Sequence, residues 1–192
     1  MNLTTKSTKM KLEKLIIAFV LVLGVSCSKN DPIIPNEEEL ITTLTYTLTP
    51  TDGGDDVVLI YKDLDAEGTS FDAEITNGTL EANKTYSGVI TLSNESEDPA
   101  ENMTEEVEEE ANDHQFFFID IPTGFTIRYD DSDSDGNPIG LSTIVETKDT
   151  YVGGDLTIIL KHEPNKFAED ITIYDATNAG GETDIEVTFE MN

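Results

Sequence analysis

From Leu40 onward the chain keeps a two-residue beat. Leu44, Tyr46 and Leu48 alternate with Thr43, Thr45 and Thr47 over 40–48, which places every second side chain on one face of a half-buried strand. Pro50-Thr51-Asp52-Gly53-Gly54 breaks the beat with turn residues, and Val57 to Lys62 reads as the return strand. Phe71 to Ile75 predicts a short edge strand, Asn77-Gly78 a tight turn, and Thr85 to Ser93 a further strand. The period then changes. Asp98-Pro99-Ala100-Glu101 has the layout of an N-cap, a first-turn proline and a capping glutamate, with Met103, Val107 and Ala111 at four-residue spacing. One helix is predicted here, acidic as far as Glu110 and apolar along a narrow stripe. Strands resume at Gln115 to Ile121, which is apolar on both faces and therefore expected to be central. Phe125 to Tyr129, Leu141 to Glu146 and Asp155 to His162 follow. In the last, Asp184 to Met191, Ile185, Val187, Phe189 and Met191 oppose Asp184, Glu186, Thr188 and Glu190. Eight or nine short strands with one short acidic helix predict an all-β domain over 40–192, an antiparallel β-sandwich of immunoglobulin-like kind. A β-barrel is the alternative.

The N-terminal stretch follows a different rule. Leu15 to Val25 is an apolar run of 11 residues behind Lys6, Lys9, Lys11 and Lys14. A helix needs about 20 apolar residues to span a bilayer, so the run reads as a secretory signal over 1–26 rather than a stable span. Leu23-Gly24-Val25-Ser26-Cys27 resembles a bacterial lipoprotein box, in which the cysteine is lipidated and becomes the new N-terminus. Cys27 is the single cysteine of the chain, and lipidation accounts for an otherwise unmatched thiol in an exported protein. Residues 27–39, with Pro32, Pro35 and three consecutive glutamates, read as a tether. Ser28-Lys29-Asn30-Asp31 resembles the short signals that send Bacteroidota lipoproteins outward, so the expected location is the outer membrane, on its periplasmic or cell-surface side.

Charge narrows the functions. The chain carries 40 acidic and 11 basic residues, a formal net charge of −29, and loss of the leader's four lysines would deepen it. Such a surface repels nucleic acid, which requires a positive patch to release counterions. It also repels itself, and bound cations would relieve that strain. Two loops have the spacing for it: Asp131, Asp133 and Asp135 before Gly136, and Asp63, Asp65 and Glu67 before Gly68. Alternate carboxylates on a tight loop converge on one calcium ion, with glycine allowing the turn. Neither loop is an EF-hand: position twelve from Asp131 is Ser142, and from Asp63 it is Glu74, where a strand rather than a helix is expected.

A second constellation suits a softer metal. A helix continued to His114 would align Glu106, Glu110 and His114 on one face. His162 closes a strand whose Ile158 and Leu160 share its parity. Glu110, His114 and His162 together would form an N,N,O set fit for zinc, or for iron or copper. Catalytic signatures are lacking: the chain has no G-x-S-x-G, no H-E-x-x-H, no phosphate-binding glycine loop and no tryptophan for stacking sugars. The sequence reads as a non-enzymatic binding or accessory module, with a structural or adhesive surface module as the competing reading.

Across Glu37 to Thr49 (EEELITTLTYTLT), Leu92 to Glu95 (LSNE), Glu105 to Phe118, Lys161 to Lys166 (KHEPNK) and Asn178 to Val187 (NAGGETDIEV), the chain resembles a family of small acidic flavobacterial lipoproteins. Members often carry the label "type 1 periplasmic binding fold superfamily protein". The two lobes of alternating β and α elements in that label differ from the strand-dominated pattern here, so the fold expectation stays with the sandwich. The resemblance implies a setting beside a TonB-dependent outer-membrane receptor and a nutrient, metal or metal complex as cargo.

Overall fold

The computed structural model describes residues 40–64 and 73–192, and the alternation read from sequence becomes nine strands. These are β1 (Thr43–Pro50), β2 (Val57–Lys62), β3 (Glu74–Thr76), β4 (Thr85–Ser93), β5 (His114–Ile119), β6 (Phe125–Tyr129), β7 (Ser142–Thr147), β8 (Gly154–His162) and β9 (Glu182–Met191). They pair into a six-stranded sheet in the order β3-β2-β1-β4-β7-β6 and a three-stranded sheet in the order β5-β8-β9. Every strand pairing is antiparallel. The sheets do not close into a barrel, and their inner faces share one apolar core.

The threonine–leucine alternation of β1 is the reason. Leu44, Tyr46 and Leu48 are fully buried and share the core with Phe116, Phe118, Leu156 and Phe189 of the smaller sheet. The rings of Tyr46 and Phe118 lie 6.0 Å apart at 41°, a tilted pairing that suits the aromatic quadrupole. The Tyr46 hydroxyl would be costly to bury alone, and it is satisfied by Thr143 Oγ1 at 2.7 Å. Gly88 in β4 makes room for this pair, since a Cβ there would collide with Thr143 Oγ1 and come within 2.6 Å of the Tyr46 oxygen.

Three local expectations are corrected. The helix α1 spans Met103–Glu109 with Asn102 as its N-cap, not Asp98. Asn94 and Glu101 instead exchange two backbone hydrogen bonds of 3.0 Å, which commits Glu101 to a closed loop. Asn77-Gly78 is not a hairpin turn: it runs parallel to the end of β9, with Gly78 bridging Met191 and Asn77 Oδ1 accepting from Glu190 N at 2.8 Å. β5 lies at the border of its sheet rather than in the centre. Its apolar character on both faces has another source. Phe117 packs outward against Ile159, Ala179 and Ile171, the last two from the long β8–β9 connection. Two loops cover its outer edge, where Phe116 N donates to Ile139 O at 2.7 Å and Phe118 N to Ile173 O at 2.8 Å, so the exposed edge that sheets must protect is already occupied.

Candidate metal centre

β5 and β8 bring the two histidines of the chain together. Their antiparallel register sets His114 directly opposite His162, with Phe116 opposite Leu160 and Phe118 opposite Ile158. Directly opposed residues point to the same face, so both imidazoles turn into the space between the sheets. The rings sit 4.6 Å apart, tilted by 35°. Both are buried, His114 completely.

Glu110 arrives from the other side. α1 stops at Glu109 and a single 3-10 turn, Ala111–Asp113, leads into β5, so the continuous helical face expected for Glu106, Glu110 and His114 does not exist. The tight turn nevertheless folds Glu110 over His114. The Glu110 carbonyl accepts from His114 Nδ1 at 3.1 Å. A carbonyl can only accept, so Nδ1 carries a hydrogen, and in the neutral ring that a metal would bind Nε2 holds the lone pair. A backbone partner of this kind fixes the tautomer of metal-ligating histidines. One ligand atom each from Glu110, His114 and His162 lie within 4.8 Å of one another. A tetrahedral zinc with bonds of about 2.0–2.1 Å asks for donor separations of about 3.4 Å. The exposed Glu110 side chain can supply the closing movement. Beside it is an open cleft lined by Glu109, Asp113, Ser132 and Ser134.

The calcium loops have other partners. Asp131 accepts from Gly140 N and Ser142 N, each at 2.7 Å, one at each carboxylate oxygen. Asp133 Oδ1 accepts from Asp135 N and Asn137 N, at 3.0 and 2.8 Å. Its Oδ2 is bound by the Lys166 ammonium at 2.9 Å, and the pair is almost wholly buried, with side-chain exposures of 3% for Lys166 and 1% for Asp133. Lys166 also donates to Ala111 O at 2.7 Å and Pro138 O at 3.2 Å. Asp131 and Asp133 thus serve as internal acceptors, Asp133 paired with a lysine, and Asp135 enters through its backbone N–H. Burial pushes the Asp133 carboxyl up, but the Lys166 bond and the Asn137 and Asp135 N–H groups outweigh it and hold the pKa below the usual range. In the second loop Asp63 is buried and accepts from the Tyr61 hydroxyl at 3.4 Å. Asp65, Glu67 and Cys27 lie outside the described residues.

Two residues of the region had no sequence signal. Lys166 sits in an aperiodic loop, and its bond to Ala111 ties that loop to the turn before His114. Asp184 has the parity of an outward-facing residue, yet its side chain is 8% exposed and its Oδ2 lies 3.9 Å from His114 Nε2.

Fold and site together define a strand-built, sandwich-like domain with a candidate two-histidine, carboxylate metal centre at one end of its smaller sheet. No protein-family model, curated protein or solved structure matches the chain.

Proposed function

We propose that the protein is an outer-membrane lipoprotein, anchored through Cys27, whose domain is a non-enzymatic binding module for a transition-metal ion of the zinc class beside a TonB-dependent receptor. The observation that carries the metal reading is the convergence of Glu110, His114 and His162 within 4.8 Å, with the His114 tautomer set by a backbone carbonyl. Imidazole and carboxylate donors suit zinc, copper and iron. A surface this acidic raises the local concentration of cations. An immunoglobulin-like scaffold fits the role, because it gathers functional turns and loops at the sandwich ends. The leader and Cys27 support the membrane anchor, and the receptor is inferred by analogy to similar lipoproteins.

Calorimetric titration of the full chain in detergent tests the metal. One zinc ion per chain is expected, with uptake lost in His162→Ala and unaffected by calcium. Absence of zinc, copper and iron uptake would leave only a structural or adhesive surface module. Mass spectrometry of the mature product tests the anchor, and an unmodified Cys27 thiol there would remove it.

A further inference from the structure

We propose that Phe167 is the anchor of a docking surface for a partner protein, one that offers an apolar pocket rimmed by lysine and arginine. The observation is an inversion of the usual order at two successive residues of the β8–β9 connection. The lysine is inside and the aromatic ring outside: the Lys166 side chain is 3% exposed, whereas Phe167 is 78% exposed. Lysine is almost never buried unless paired, and burial of phenylalanine is favourable, so a loop free to choose would turn the other way. Hydrogen bonds on either side of Phe167 hold the inversion. The Lys166 ammonium donates to Asp133 Oδ2, Ala111 O and Pro138 O at 2.9, 2.7 and 3.2 Å. Asn165 Oδ1 accepts from Phe167 N at 3.2 Å. Asn165 O accepts from Ala168 N at 3.0 Å, and Asn165 N donates to the carbonyl of the fully buried Ala179 at 2.7 Å. A single exposed apolar residue on a loose loop is ordinary. This one is fixed by its neighbours, so little backbone freedom is left to lose when the ring is covered, and preorganisation of this kind favours binding.

Charge defines the partner. The ionisable residues over 163–170 are Glu163, Lys166, Glu169 and Asp170. Lys166 is buried against Asp133, so this loop shows solvent three exposed carboxylates and one aromatic ring. A buried aromatic anchor within a polar rim is the usual form of an interface hot spot, and an acidic rim is complemented by a basic one. The same charge disfavours a second copy of this chain, whose net charge is −29, and an anionic lipid surface. The inference needs neither the metal centre nor the receptor named above. It concerns only which surface is covered and by what chemistry.

The experiment is photo-crosslinking in the cells that make the full chain, with benzoyl-phenylalanine placed at Phe167 or, as an equally exposed control, at Val152, which is 79% exposed. Irradiation should join the Phe167 site to one protein, at a peptide that carries lysine or arginine beside apolar residues, with no such adduct from the Val152 site. That protein, identified by mass spectrometry and purified, should bind Phe167→Ala roughly 30-fold more weakly than wild type, as for a hot-spot truncation, while the melting temperature stays unchanged. Glu169→Lys should slow its association and weaken the salt dependence of binding. No adduct, an adduct with lipid or with a second copy, or equal yields from the two sites would overturn the proposal, as would wild-type affinity in Phe167→Ala. A partner other than a TonB-dependent receptor that showed these dependences would uphold it and remove the receptor from the reading above.

Discussion

At the scale of single residues, the buried Lys166–Asp133 pair carries the clearest consequence. Removing one member of a buried pair leaves the other charge uncompensated and costs about 3–5 kcal/mol, so Lys166→Met should lose that much stability in urea unfolding at pH 7. Asp133→Asn combined with Lys166→Met should recover most of it, because the charge left behind is gone. The pH dependence has a definite sign. Asp133 has a lowered carboxyl pKa in the folded protein, so its contribution is present above the unfolded value of about 3.9 and is lost as pH falls through the folded value. The gap between wild type and Lys166→Met should therefore shrink as pH falls below about 4. A gap unchanged from pH 7 to acid would mean that Lys166 acts through packing, not charge.

At the scale of elements, strand parity was legible and strand neighbours were not. Val57–Lys62, Thr85–Ser93 and Phe125–Tyr129 appear with the boundaries their alternation implied, because burial of one face enforces a period of two. Parity also put His162 on the inner face with Leu160. Nothing in the sequence could say that β8 would pair with β5 in the register that opposes His114 to His162, since pairing is a tertiary choice. Asp184 was misleading for the opposite reason: its parity is outward, and a single inserted residue reverses it. The false N-cap at Asp98 shows capping residues used in a loop, where the backbone bonds between Asn94 and Glu101 take precedence. The Gly88 slot is a further element-scale property that pattern cannot reveal. Gly88→Ala would drive a methyl group into the Tyr46–Thr143 pair, and the overpacking should cost about 1–3 kcal/mol. Thermal melts should show it, and Gly88→Ala combined with Tyr46→Phe and Thr143→Ala should regain part of the loss, since both oxygens that the methyl group meets are removed together and neither is left unpaired.

At the scale of the whole molecule, the charge of −29 and the candidate centre make separable demands on cations. Repulsion among dispersed carboxylates is screened by any salt, because the Debye length falls to about 10 Å at 0.1 M and about 3 Å at 1 M. Melting temperature should therefore rise with sodium chloride in wild type and His162→Ala alike. A specific ion acts by mass action: at 100 times its dissociation constant it adds about 2.7 kcal/mol to the state that binds it. For a domain of this size that is roughly 5–10 °C. Zinc added at fixed high ionic strength should give this increment in wild type and none in His162→Ala, where one imidazole of the pair is gone. Equal increments in the two proteins would assign the effect to diffuse binding on the acidic surface. A salt-insensitive melting temperature would instead mean that the carboxylates are already compensated within the fold, as Asp133 is by Lys166.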